Sequence, residues 1–233
     1  MAEEDPPRAT LLVRSDSYVD AERSPRFLRL RSLALKVQGE GQPASDEGTW
    51  EFVERPLGLD AAVVVIFRRT RDGLEVLLRR GLRVPLAVGR PHHPRGPGAR
   101  AAVFVEEVVA GLIEEGEIDE AAITESARRE VAEETGYILP TSALTRLGAP
   151  LWATPGLCAE VLHFFSADAT LAVAPDAPVG DGSPFELLSS VAWYPIDAAI
   201  ARVSGLAPER PGNSLGDLRA ELGLRRLKEI VAR

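Results

Sequence analysis

The chain of 233 residues predicts an α+β fold: a mixed β-sheet sandwiched by helices and preceded by a small N-terminal β-unit. Three observations carry that expectation. Strand-like runs surround a few helical ones and include hairpins, which suits a sheet covered by helices. Apolar residues make up 45% of the chain, enough for a real core. The C-terminal end alternates apolar and charged residues with the period of a helix.

Residues 1–25 carry little periodicity and are expected to form a loose arm. "FLRLRSLALKV" (27–37) sets Phe27, Leu33 and Leu35 among Arg29, Arg31 and Lys36, and "TWEFVER" (49–55) follows a turn-rich connection. These two strands make a β-unit over 26–56, and the main domain occupies 57–233. "LDAAVVVIFRR" (59–69) is a buried strand. The turn "TRDG" joins it to "LEVLLRR" (74–80) as a hairpin. Residues 81–102 form a long Pro/Gly/Arg loop, and loops of this length are usually functional or disordered. "VFVEEVV" (103–109) is a strand from which "AGLIEEGE" bends away. A helix starts at about Asp119 or Thr124 and runs to Thr135. Strands are expected near 145–153, 160–167 and 187–194, the last preceded by "APDAPVGDGSPFE". "PIDAAIARV" is a short helix. "SLGDLRAELGLRRLKEIVA" (214–232) is a terminal amphipathic helix with Leu215, Leu218, Leu222 and Ile230 on its apolar face. No internal repeat is visible.

Composition excludes several classes. A net charge of −8 argues against a general nucleic-acid-binding surface. No run approaches the roughly 18 apolar residues of a membrane span. "MAEEDPPRAT" lacks the basic and apolar regions of a secretory signal, and the single cysteine, Cys158, suits a reducing cytoplasm. There is no nucleophile elbow, no P-loop and no H-E-x-x-H. His92 and His93 are read as loop histidines, His163 as structural, and Cys158 as an inert thiol.

The stretch "REVAEETGY" (129–137) is anomalous. Glu130, Glu133 and Glu134 repel one another on one helix face. They also sit at a helix C-terminus, where the macrodipole favours cations, and Gly136 ends the helix. Charge alone permits a solvated acidic face. That is the reading charge alone favours, but the converging oxygens also suit a hard divalent cation such as Mg²⁺, which takes carboxylate oxygens.

"AGLIEEGE" followed by "ARREVAEETGY" resembles the signature of the Nudix hydrolases, G-x5-E-x7-R-E-U-x-E-E-x-G-U with U apolar. Gly111 and Glu117 match its first half; Arg129, Glu130, Val131, Glu133, Glu134, Gly136 and Tyr137 match its second. Eleven residues instead of seven separate Glu117 from Arg129. The four extra residues are about one helical turn, which a start near Asp119 absorbs, but the Glu117–Arg129 ion pair of the family then depends on that start. "TWEFVERPLGLDAAVVVIF", "EVLLRRGLRVP" and "TPGLCAEVLHFF" are similar to the ADP-ribose and nucleotide-sugar pyrophosphatase branch.

The resemblance implies a Nudix-type α/β/α sandwich, an N-terminal β-unit exchanged across a homodimer, and a nucleoside diphosphate substrate. It implies hydrolysis of the pyrophosphate bond of ADP-ribose or another nucleotide sugar, giving a nucleoside monophosphate and a sugar phosphate. It further implies Mg²⁺, or Mn²⁺ in its place, on Glu130, Glu133, Glu134 and the Ala110 carbonyl. Glu117 and Arg129 would orient that cluster, and Arg83 would contact a substrate phosphate. Pro155, Gly156 and Glu160 match the branch's P-G-x-x-x-E substrate segment, and "GDGSPFELL" its mobile loop, with Glu186 as general base. Without the resemblance, Glu186 is one loop acid among several. Two alternatives stand beside this reading. One is a Nudix-fold sensor that binds without cleaving, which the four-residue insertion mildly favours. The other is a hydrolase of another substrate, such as a dinucleoside polyphosphate or coenzyme A.

Overall fold

The apolar run from Ala61 to Phe67 is buried along its whole length, so it needs cover on both faces, and the fold supplies it. The computed structural model describes residues 9–18, 28–55, 60–83, 85–86, 104–114, 116–117, 119–173, 189–206 and 215–231. The chain divides into two units: Met1–Leu59 with Trp152–Val161, and Asp60–Leu151 with Leu162–Arg233.

In the larger unit, β4 (Ala61–Thr70) turns through Arg71 and Asp72 into β5 (Gly73–Leu82), with Thr70 opposite Gly73. Past Phe67 and Val76 these two strands cease to pair. The segment from Phe104 onward takes up their free edges, β6 (Phe104–Glu107) on β5 and β7 (Val109–Leu112) on β4. The single strand expected over 103–109 is therefore two, and "AGL" extends the second rather than bending away. Val108 is the change-over residue. It is buried like its neighbours, so hydrophobicity does not mark the break.

β10 (Val161–Asp168) lies parallel to β4, and β12 (Leu215–Gly216) parallel to β6. β8 (Leu144–Arg146) and β11 (Ser190–Pro195) pair antiparallel with β10 and β5. The sheet is mixed, as expected. The strand expected near 145–153 is divided into β8 and β9 (Leu151–Trp152) at Gly148, whose φ of 82° makes a turn.

Alternation along β4 sends residues to opposite faces. Ala62, Val64 and Ile66 pack with Ile123, Ala127 and Val131 of α1 (Glu120–Thr135). On the other face, Val65 meets α3 (Leu218–Val231) so closely that a Cβ on Gly223 would lie 2.8 Å from its Cγ2. Helix α2 (Ile196–Val203) packs beside α3. The result is the expected α+β sandwich. The buried face of α3 differs from expectation: Ala220, Gly223, Leu224 and Leu227 are buried, whereas Leu218 and Ile230 are exposed and Leu215 belongs to β12. The helix needs a small residue where it crosses Val65, and that requirement, more than leucine count, sets its rotation.

The smaller unit contains β1 (Ala9–Tyr18), β2 (Arg29–Gly39) and β3 (Gly48–Glu54) in one antiparallel sheet. β1 lies where a loose arm was expected. Its register on β2 shifts between Val13 and Ser15, and such a bulge breaks the period-2 pattern by which a strand is recognised. Among the described residues no helix is long and apolar enough to cross a membrane.

Candidate functional site

The acidic turn lies at the C-terminal end of α1. Asp119 caps the helix by accepting from the Ala122 N–H at 2.8 Å, so the helix takes the earlier of the two expected starts. Ile123, Ala127, Val131 and Thr135 form its buried stripe, which leaves Glu130 and Glu134 together on the flank, one turn apart. Gly136 closes the helix in the left-handed conformation, φ 74°, with its N–H donating to Ala132. No basic residue occupies the last turn.

The two acids rest on β7. The Ala110 N–H donates to the Glu134 carboxylate. A Cβ on Gly111 would lie 1.8 Å from Glu130 Cδ, so only glycine leaves room for that carboxylate against the strand. Burial pushes the Glu134 carboxyl up from 4.5 to about 7, assisted by the charges of Glu107 and Glu130 and opposed by Arg79. Its Oε2 is buried without a hydrogen-bond partner, and Arg79 Nε stands 3.9 Å away. Glu133 is half-buried.

As placed, no three His, Cys, Asp or Glu side chains among the described residues stand close enough to hold a metal ion. The donors nevertheless fit one. Glu130 and Glu134 offer hard oxygens, and Glu134 presents a buried oxygen short of positive charge, which a divalent cation would supply.

The inserted turn leaves the supporting ion pair intact. Glu117 Oε1 meets Arg129 Nη1 at 3.2 Å, its Oε2 accepts from the Glu114 N–H at 2.9 Å, and the Ser126 hydroxyl also donates to it. Arg129, with Ser126 and the Glu114 N–H, holds the Glu117 carboxyl down at about 2. The helix start lies on the far side of Arg129 from the three acids. There Glu120 pairs with Arg146 at 2.5 and 2.6 Å. Arg146 lies over Phe165 and hydrogen-bonds His163 Nδ1 at 3.0 Å, which gives the buried histidine a structural setting.

Beyond β5, Arg83 is 40% exposed and donates from Nε and Nη2 to Glu107 Oε2 at 3.0 and 2.5 Å. Glu107 Oε1 accepts from Arg79 Nη1 at 2.7 Å, and the two side chains are 2% and 9% exposed. Sequence reasoning missed both Glu107 and Arg79. The available signal was a glutamate inside the apolar run "VFVEEVV" and an arginine inside "EVLLRRG", since charges within buried strands need partners.

The remaining candidates fall in the smaller unit or outside the described residues. Pro155, Gly156 and Glu160 belong to the smaller unit, where Cys158 bridges to Val53 of β3 and Glu160 pairs with Arg55 at 2.6 Å. Cys158 is a half-buried free thiol. Glu186, His92 and His93 lie outside the described residues.

The NUDIX domain model matches residues 58–213. No curated protein matches the chain. The NUDIX domain of Shewanella oneidensis NrtR, solved with ADP ribose, is 18% identical over 75% of this chain and 88% of its own, with a TM-score of 0.44. A Caenorhabditis elegans Ap4A hydrolase is 17% identical over 75% and 98%, with a TM-score of 0.42. A NUDIX hydrolase from Alicyclobacillus acidocaldarius is 16% identical over 72% and 90%, with a TM-score of 0.47.

Proposed function

The chain belongs to the NUDIX family and is a pyrophosphohydrolase, and from that premise we propose that it cleaves the pyrophosphate bond of a sugar-linked nucleoside diphosphate. ADP-ribose is the leading candidate, and the products are a nucleoside monophosphate and a sugar phosphate. The observation that carries the reading is the pair Glu130 and Glu134 laid on Ala110–Gly111, with one buried carboxylate oxygen lacking a partner.

Glu130, Glu133, Glu134 and the Ala110 carbonyl would hold a divalent cation, Mg²⁺ or Mn²⁺. When bound, it neutralises charge on the diphosphate and favours attack by water. The chain's own residues position and transfer protons. Arg83 binds a substrate phosphate, using a guanidinium held along its Nε–Nη2 edge by Glu107. Arg129 and Glu117 brace the helix face that carries the acids. Glu186 accepts a proton from the attacking water. Pro155, Gly156 and Glu160 contribute to substrate recognition. The exposed Leu28, Leu30 and Trp50 of the smaller unit support a homodimer formed through that unit. One cysteine and a net charge of −8 support a cytoplasmic protein with no nucleic-acid partner.

The insertion that favoured a binding-only module leaves the Glu117–Arg129 pair in place. A panel of ADP-ribose, ADP-glucose, UDP-glucose, GDP-mannose, a dinucleoside polyphosphate and coenzyme A, assayed with Mg²⁺ or Mn²⁺, tests the proposal. Fastest turnover of a nucleotide sugar is expected. Preference for either of the last two, or binding without turnover, refutes it.

A further inference from the structure

Arg79 and Gly81 share one face of β5, and Arg83 follows the strand's last residue, Leu82. Glu107 of β6 lies directly opposite Arg79 in the register. Its carboxylate crosses the place where residue 81 has no side chain. A Cβ there would lie 2.5 Å from Arg79 Nη1 and 2.6 Å from Glu107 Oε1. One buried carboxylate thus meets two arginines through different oxygens, Arg79 through Oε1 and Arg83 through Oε2. A third guanidinium, Arg219, stands 3.7 Å from Oε2 and is held by Asp217 at 2.6 Å. The arginines differ in what else they face. Arg79 directs Nε toward Glu134, whereas Arg83 is the more exposed, and its Nη1 donors take no part in the pair.

We propose that Glu107 is a positioning residue that couples the two halves of the site, keeping Arg79 from closing on Glu134 and aiming Arg83 at the diphosphate of the substrate. This rests on the proposed function for its ligands and adds a residue that acts through Arg79 and Arg83. The physical argument is one of charge. Arg79 lies between two carboxylates, and the one at 2.7 Å holds it more strongly than the one at 3.9 Å. Neutralising Glu107 removes the stronger of these two attractions on Arg79 and adds net positive charge beside the carboxylates that would take a cation. Arg83 simultaneously loses both of its bonds to the carboxylate charge.

The test uses the full chain with Glu107→Gln, Gly81→Ala and Arg83→Gln. Each is measured by thermal melting without metal, by calorimetric titration with Mn²⁺ alone, by calorimetric titration with ADP-ribose, and by KM and kcat in Mg²⁺. For Glu107→Gln, Mn²⁺ affinity and ADP-ribose affinity should both fall by about tenfold or more, with a cooperative melt retained. Arg83→Gln should weaken ADP-ribose binding and raise KM while Mn²⁺ affinity stays at the wild-type value. Gly81→Ala keeps every charge but displaces the pair, so it should weaken both affinities and serves in place of Glu107→Gln if that variant does not fold. Loss of only one affinity, or of neither, in a folded Glu107 or Gly81 variant overturns the coupling. Absence of turnover by the unaltered chain refutes the hydrolase reading instead, and the two affinities then still decide the role of Glu107.

Discussion

Replacing Glu134 with glutamine should make the metal-free protein more stable while abolishing its activity. Burial raises the carboxyl from 4.5 to about 7. Its native pKa lies above its unfolded one, so the folded state binds the proton more tightly. Stability from this group is therefore fully present below pH 4.5 and is lost as the pH rises to 7. At about 1.4 kcal/mol for each factor of ten, the loss amounts to about 3 kcal/mol above pH 7. The side chain is only 15% exposed, so solvent screens little of this. Glutamine has no charge to bury and can still accept from the Ala110 N–H. Urea unfolding in EDTA should show the two proteins nearly equal at pH 4.5, with the Glu134→Gln variant about 3 kcal/mol more stable at pH 8.5. Groups not coupled to Glu134 titrate alike in both proteins and cancel from the difference. Added Mg²⁺ should stabilise only the wild type, because a ligand stabilises the state that binds it. A variant less stable than wild type at pH 8.5, or a difference that does not change with pH, refutes the reasoning, as does retained Mg²⁺-dependent turnover.

Gly111→Ala should lower turnover by roughly 100-fold, since its Cβ must displace the Glu130 carboxylate by more than an ångström; steady-state kinetics beside a melting curve will show whether the loss exceeds any unfolding. Glu117→Gln should remove an acid-dependent part of stability. The native carboxyl titrates at about 2, so the advantage of wild type over the variant is present above pH 4.5 and lost as the pH falls from 4.5 to 2, readable by unfolding across that range. Gly223→Ala should cost about 1–3 kcal/mol by overpacking against Val65, measured by urea unfolding, with KM unchanged.

Much of the architecture was legible because polarity reports a half-buried strand and period reports a helix. β2 and β3 alternate, β4 is apolar from Ala61 to Phe67, and α1 begins at an aspartate cap. Legibility failed where geometry departed from period. The bulge in β1 dissolved its alternation, and Val108 divides two strands without any change in hydrophobicity. The same division holds at the site. Three glutamates beside a helix-ending glycine are conspicuous because they break local rules. Glu107 and Arg79 stand out only as charges inside apolar runs, and their pairing depends on the register between strands 28 positions apart. The Glu117–Arg129 contact depends, for a related reason, on whether the four extra residues between them are taken up by an early helix start. That start was decided by Asp119 and by the Glu120–Arg146 pair.

Gly81 and Gly111 invert the usual logic of mutational mapping. Each leaves a mould that a carboxylate from another segment fills, Glu107 over one and Glu130 over the other. A scan that trims side chains to a methyl group passes over both positions as the mildest of changes. Here a single methyl group occupies the volume claimed by an acid, so these positions are sensitive to addition where most others are sensitive to loss. A survey of this protein should therefore enlarge its glycines as systematically as it shortens everything else.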